Sequence, residues 1–259
     1  MGRTGGWTLA VMLGFLATLA LGYAGLIGEP YAVCLGSLLP ALAWVSYVRS
    51  WDYREPEPYA LVAVAFVVGA ASAAPAILAE LLLDTGRPLV NSVLVAPLVE
   101  ELVKPLGLYL LWRSAEVNDE LDVVFYAVTS AMGFAWVENL LAGISSLGEM
   151  GVGGWALVAA GRGLMSTVGH AADSGVMGWG LSRLKFGGRS SLELVKWYGL
   201  AAAIHGVWNW LVSAASASAA FIPGLLLAPL VLAKLLSRVV DAAGKRSPFG
   251  GRERRTLVT

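Results

Sequence analysis

The chain has 259 residues, 57% of them hydrophobic and 14% charged, with a formal net charge of zero and a mean hydropathy of +0.69. Soluble domains carry about 25% charged residues, so an ordinary soluble globule is excluded, and the neutral balance offers no basic surface to nucleic acid. A membrane barrel would need short alternating strands, and none are visible. Repeated apolar runs of about 20 residues instead predict an all-α, polytopic transmembrane helix bundle.

In chain order, eight spans are expected, at 7–27, 31–48, 59–82, 91–112, 123–147, 155–183, 195–215 and 219–240. The first, Trp7 to Ile27, is long for a signal peptide and is followed by further spans, so it reads as a retained helix. Cys34, the single cysteine, lies in an apolar run with no disulfide partner. The sixth span is long and glycine-rich, which predicts a tilted or broken helix. No internal repeat is visible, which counts against a transporter built from duplicated halves. Residues 1–240 are expected to form one integral membrane domain, and 241–259 a basic, flexible cytoplasmic tail lying near anionic headgroups.

Charge placement sets the orientation. One side of the membrane holds Arg3, Arg49, Arg54, Arg113, Arg183, Lys185, Arg189, Lys196 and the group Lys234, Arg238, Lys245, Arg246, Arg252, Arg254 and Arg255. The other holds Arg87 alone. By the positive-inside rule both termini are cytoplasmic.

Few polar groups remain inside the spans. The fourth carries Glu100, Glu101 and Lys104 within APLVEELVKPL, bracketed by Pro97 and Pro105, which can open the helix locally. A charge at mid-span costs about 2.5–3.5 kcal/mol on insertion scales. The fifth carries Glu138 and Asn139, the sixth Arg162, His170 and Asp173, and the seventh His205 and Asn209; both histidines of the chain are among them. Glu100 and Lys104 lie about 40° apart on one helical face, with Glu101 about 100° from Glu100. Arg162, Ser166, His170 and Asp173 share an arc of roughly 80°. Glu100, Glu138, His170 and His205 all fall within about 6 Å of their span centres, so four helices offer carboxylates and imidazoles at one depth, towards the exterior. Intramembrane ionisable groups face a bundle interior or wet cavity and mark function.

Blander explanations hold for some. Lys104 neutralises a glutamate in any reading, Arg162 and Asp173, three turns apart, can form a buried ion pair bridged through neighbours, and Asn139 fits a helix–helix hydrogen bond. Three carboxylates and two histidines at one depth are harder to explain structurally. Crowded carboxylates with a lysine supply a general base able to deprotonate water. A histidine and an asparagine one turn apart supply oxyanion donors. Together they fit hydrolysis of an acyl bond, and in a bilayer the natural substrate is a peptide bond. Ser166 precedes His170 by one turn, but a helical serine is ordinarily a backbone hydrogen bonder. No HExxH occurs, yet Glu, His and Asp from several helices could hold zinc. A proton-coupled transporter with a Glu/His relay, or a non-catalytic membrane scaffold, would use the same residue types.

These elements resemble the PrsW-type intramembrane proteases, within the superfamily that includes the type II CAAX prenyl endopeptidases. The resemblance covers about residues 49–210. RSWDYREPEP is similar to the family's acidic, proline-bearing connector, and Glu100-Glu101-Leu102-Val103-Lys104 to its EExxK element. ELDVVFYAVTSAMGFAWVEN resembles the GFAxxEN element through Phe134, Glu138 and Asn139; RGLMSTVGHAADSGVMGWG supplies Arg162 and His170; IHGVWNW matches HxxxN through His205 and Asn209. Val123 departs from the glycine usual after the aspartate entering the fifth span. The resemblance implies a glutamate pair activating water with help from Glu138, an oxyanion hole of His205 and Asn209, and His170 as a further essential group. It also implies a prokaryotic cell membrane and single-span substrates such as anti-sigma factors, cut near the outer face. Catalysis with or without a metal such as zinc is compatible with it, in which case Glu100, Glu138, His170 and His205 are the candidate ligands.

Overall fold

In a bilayer core every backbone N–H and C=O must be satisfied within the protein, so apolar runs of this kind fold as helices. The computed structural model describes residues 5–52, 55–188 and 190–249, and among them no strand occurs. Arg3, Arg54, Arg189 and the tail from Gly250 lie outside the described residues.

The chain opens with α1 (Gly5–Tyr23) and α2 (Glu29–Arg49), then α3 (Tyr59–Ala71) and α4 (Ala73–Leu82). A short α5 (Pro88–Val90) leads through a π-helical turn (Asn91–Val95) into α6 (Ala96–Val103). After Pro105 comes α7 (Leu106–Leu111), and then α8 (Glu120–Gly161). A second π-helical turn (Arg162–Ser166) joins α8 to α9 (Thr167–Lys185). Finally α10 (Ser191–Ala217) and a 3-10 turn (Ala219–Phe221) lead to α11 (Ile222–Gly244). The helix therefore continues beyond residue 240, into the stretch expected to begin the tail.

Among the described residues, five helical stretches are long and apolar enough to cross a membrane: Gly6–Tyr23, Glu29–Arg49, Tyr59–Leu82, Glu120–Lys185 and Ala219–Gly244. The expected fifth and sixth spans fall together in Glu120–Lys185. The expected fourth and seventh are not among the five, and the reason is chemical. The fourth is broken at Pro105 and holds Glu100, Glu101 and Lys104, while α10 dilutes its apolar run with His205 and Asn209. The polar cluster is divided: Glu100, Glu101, Lys104, His205 and Asn209 lie in these two segments, while Glu138, Arg162, His170 and Asp173 lie in Glu120–Lys185, which is apolar enough to cross.

Glu120–Gly161 is not one straight rod. Gly151 has φ 68° and ψ −168°, a conformation that glycine adopts without a Cβ penalty. A Cβ added at Gly143 would touch the Trp155 ring at 3.6 Å, although twelve residues of straight helix span about 18 Å. The chain thus folds back at Gly151, and its second half returns beside its first. That return brings Arg162 Nε to within 2.8 Å of Asn139 Oδ1.

The first half of α8, from Glu120 to Ala135, is buried throughout, and packs between α2, α3 and α9. Contact with α3 is backbone to backbone. A Cβ at Gly133 would lie 1.9 Å from Phe66 O, and one at Gly69 would lie 1.8 Å from Ser130 O. Small residues permit such approach where no water drives helices together. Outside, leucines such as Leu81, Leu110 and Leu230 are exposed, while Glu101, Lys104 and Asp173 are buried. Apolar outside and charged inside is the arrangement a lipid solvent favours.

Candidate active site

The site begins with a broken helix. Proline has no N–H and cannot continue the ladder, so Pro105 ends α6 just after the two glutamates. Ser130 of α8 spans the break: its hydroxyl donates to Lys104 O at 2.5 Å and accepts from Gly107 N at 3.0 Å. At the other end of α6, Asn209 Nδ2 donates to Ser92 O in the π-helical turn at 2.9 Å, and Tyr198 donates its hydroxyl to Leu98 O at 2.6 Å. Gly206 lets α10 close on that turn, since a Cβ there would lie 2.4 Å from Val93 O.

Lys104 is fully buried at the hub. Its Nζ lies 2.5 Å from Glu101 Oε1, 3.3 Å from Glu100 Oε2 and 3.9 Å from Asp173 Oδ2. His205 Nδ1 sits 2.9 Å from Glu101 Oε1. A carboxylate can only accept, so Nδ1–H donates to it and the ring is held with Nε2 towards Glu100, 3.8 Å from Oε2. Glu101 is therefore enclosed by Lys104 and His205, while Glu100 turns to a cavity of about 50 Å³. Adjacent residues about 100° apart on a helix divide the work in this way.

That cavity is lined by Glu100, Glu138, Arg162, His170, Asp173, His205 and Asn209, together with Ser166, Gly169 and Trp208. Its volume is enough for water. Glu138 Oε2 lies 3.0 Å from His170 Nε2 and 3.7 Å from Arg162 Nη2. The His170 and His205 rings stand edge to face with centroids 5.6 Å apart. Phe134 closes the back, 6.3 Å from the His170 ring and 5.4 Å from Lys104 Nζ.

The sequence-derived candidates thus meet, with two differences of detail. Glu101 does not line the cavity. Arg162 and Asp173 do not pair, because eleven residues of helix hold them about 16 Å apart; Arg162 reaches Glu138 and Asn139 across the α8–α9 seam instead. Asn139 donates to Thr167 Oγ1 at 3.1 Å, the interhelical role expected of it. Two contributors were passed over. Ser130 resembles any helical serine until the break at Pro105 is placed beside it. Glu80 of α4 acts electrostatically on the site through Glu138, His205 and Lys104; near a span end, a carboxylate is commonplace.

Four carboxylates, Glu100, Glu101, Glu138 and Asp173, face two fixed cations, Lys104 and Arg162. The surplus must be met by protons or by a metal. Glu100, Glu138 and His170 each offer a ligand atom within 4.8 Å of the others. His170 Nδ1 is buried without a hydrogen-bond partner, while Glu138 Oε2 and Glu100 Oε2 meet His170 Nε2 and Lys104 Nζ as ion-pair contacts. Two carboxylates and an imidazole beside a water-sized space fit a catalytic zinc ion, which takes three protein ligands and keeps one position open. Glu101, Asp173 and His205 form a second such group, but the Lys104 ammonium already fills it. His205, expected among the ligands of the first group, belongs to the second.

A family model described as PrsW family intramembrane metalloprotease matches residues 57–234. The chain is 26% identical over 191 residues to Protease PrsW of Geobacillus kaustophilus (strain HTA426), spanning 71% of this chain and 81% of that protein. To Protease PrsW of Clostridioides difficile (strain 630) it is 29% identical over 163 residues, 60% of this chain and 67% of the other. To Protease PrsW of Bacillus subtilis (strain 168) the figures are 25% over 195 residues, 72% and 85%. No solved structure matches. The family match takes in every cavity-lining residue and well over half of the chain, so this protein belongs to the PrsW family of intramembrane proteases.

Proposed function

We propose that the protein is an endopeptidase that hydrolyses peptide bonds of membrane-spanning proteins with a water activated at Glu100. The observation that carries this reading is the buried cavity in which Glu100, Glu138 and His170 converge on a water-sized space. Glu100 accepts a proton from that water as its oxygen bonds to the substrate carbonyl carbon. The carbonyl oxygen, now an oxyanion, accepts from the second N–H of the Asn209 amide, whose first is spent on Ser92 O, and from the Nε2–H of a His205 ring protonated on both nitrogens, since its Nδ1–H is spent on Glu101. As the C–N bond breaks, Glu100 returns the proton to the leaving amine.

Glu101, Lys104 and Asp173 are positioning residues. Glu101 orients His205, and Lys104 holds the carboxylates at their spacing. Asn139, Thr167 and Arg162 tie α8 to the second π-helical turn and so place Glu138 against His170. Glu100, Glu138 and His170 would hold a zinc ion, each through one atom, leaving a second Glu100 oxygen for the proton. Such an ion lowers the pKa of bound water and polarises the carbonyl.

The finer assignments rest on composition and resemblance. Eight crossings, both termini in the cytoplasm, a membrane domain of residues 1–240 and a basic tail of 241–259 follow from the apolar runs and the lysine and arginine distribution. The bacterial origin of the relatives supports a prokaryotic cell membrane. Single-span, anti-sigma-factor-like substrates cut near the outer face complete the reading. Co-expression with a single-span reporter tests it: Glu100→Ala, Glu138→Ala and His205→Ala should each abolish cleavage without loss of protein. Undiminished cleavage in all three would remove the assignment.

A further inference from the structure

A second carboxylate cluster lies away from the cavity. Asp52 and Glu57 belong to the connector between α2 and α3, and Asp122 to the first turn of α8, on the side assigned to the cytoplasm by lysine and arginine placement. All three are buried, and each offers a ligand oxygen within 4.8 Å of the others.

Each carboxylate is held by one or two donors and keeps further acceptor capacity. Asp122 Oδ2 accepts from the backbone N–H groups of Asn118 and Asp119, both at 2.8 Å. Glu57 Oε2 accepts from the Tyr126 hydroxyl, and Asp52 accepts from the Glu55 backbone. Glu57 and Asp122 lie close enough to interact directly, which two carboxyl groups can do favourably only by sharing a proton. Asp52 is 7% exposed, and its Oδ2 is buried with no hydrogen-bond partner. An acceptor aimed into a cluster of acceptors has nothing to bind but a proton or a cation.

Among the described residues, the nearby fixed cations make their direct contacts elsewhere, although the charge of Lys185 is felt at Asp122. Arg183 and Arg246 hold Glu120 at 2.9 and 2.6 Å. Lys185 donates to Trp112 O and Val117 O, and Arg49 stacks over Tyr59 at 4.3 Å. Among the described residues no ion pair reaches Asp52, Glu57 or Asp122. Burial, with the charge of Glu57 next, pushes the Asp52 carboxyl up to about 7.

We propose that Asp52, Glu57 and Asp122 form a site for a hard divalent cation that clamps the α2–α3 connector to the start of α8. The donor set is oxygen only, which suits Mg²⁺, Mn²⁺ or Ca²⁺ and not zinc. Oxygens on opposite sides of a calcium-sized ion stand about 4.6–5.2 Å apart, so separations within 4.8 Å close around one ion. Donors from Tyr126 and the α8 cap orient the ligands as outer partners do at metal sites. The helix runs on from this clamp through Ser130 and Phe134 to Glu138, so the ion fixes the end of the element that carries part of the cavity.

Full-length protein in detergent, titrated with Mn²⁺ and followed by electron paramagnetic resonance, tests the site. The expected result is a bound Mn²⁺ whose echo modulation lacks histidine nitrogen, displaced by Mg²⁺ or Ca²⁺. Asp52→Asn and Glu57→Gln should each weaken it by about tenfold or more, while Glu138→Gln leaves it intact. Two results would overturn the proposal on wild-type protein alone, whatever the variants' folding: no Mn²⁺ bound at millimolar concentration, or only Mn²⁺ that couples to histidine nitrogen. Unchanged affinity in both connector variants would overturn it as well.

Discussion

Ser130 Oγ donates to the Lys104 carbonyl at 2.5 Å across the seam between α8 and the break after α6. One hydroxyl thereby satisfies both sides of a proline interruption, because it also accepts from Gly107 N. Ser130→Ala removes it and leaves two buried backbone groups unpaired, at about 1–3 kcal/mol for each. The variant should melt earlier in detergent and cleave more slowly. A melting temperature equal to wild type would show that the break is satisfied by other means.

Glu100 and Glu101 should respond differently to the same change. Glu100→Gln keeps the shape of the cavity and removes its base, so cleavage falls by about 10²–10⁴-fold with stability little altered. Glu101→Gln leaves Lys104 and His205 without their nearest anion, and breaking a buried pair costs about 3–5 kcal/mol. That variant should lose stability along with activity. Equal stability in the two variants would contradict the division drawn between them.

Lys104→Met tests the hub from the other side. Glu101 and Asp173 then face each other without the ammonium, and an uncompensated buried charge costs about 3–5 kcal/mol. Lys104→Arg should not restore stability, because a planar guanidinium does not fit the space of a compact ammonium that is fully buried. Thermal unfolding of the three proteins decides the matter.

Metal removal discriminates between the two carboxylate–histidine groups. Purified wild-type protein should retain about one zinc ion per chain, the stoichiometry of a mononuclear site. Glu138→Gln and His170→Ala should lose it, and His205→Ala should keep it. Chelation should end cleavage, and re-addition of zinc should recover it. Full cleavage by metal-free protein would assign the reaction to Glu100 without an ion.

Gly133→Ala probes the seam that holds α8 in place. Its Cβ would meet Phe66 O at 1.9 Å, a backbone atom that cannot turn aside. The helices must part, with a cost of about 1–3 kcal/mol typical of overpacking. Gly148→Ala on the same helix meets nothing within 4 Å and should be neutral or slightly stabilising. Parallel melting curves give the comparison.

Much of the site was legible because charge is expensive in hydrocarbon. Glu100, Glu138, His170 and His205 stand out in apolar runs, and their common depth follows from counting 1.5 Å per residue. Helix rotation relative to neighbours is not available from such counting. That is why the separate surroundings of Glu100 and Glu101, and the partner of Arg162, had to come from the packing. The merged run of Glu120 to Lys185 shows the same limit: its turning point is a single glycine conformation at Gly151, which looks like any other glycine in a glycine-rich stretch. Ser130 was hidden for a related reason, since its role exists only in relation to a proline on another helix.

The cavity of about 50 Å³ has one more implication. It has room for water, but pockets that accept even a small organic ligand run to about 300–1,000 Å³. No stretch of polypeptide fits beside Glu100 while α10 lies against the first π-helical turn through Gly206 and Asn209. On the proposed reading, a substrate helix must part α10 from that turn before its backbone reaches Glu100. Discrimination among the many helices of a membrane then falls to whichever of them can unwind and prise those two segments apart, a contest of local stabilities settled before any bond is broken.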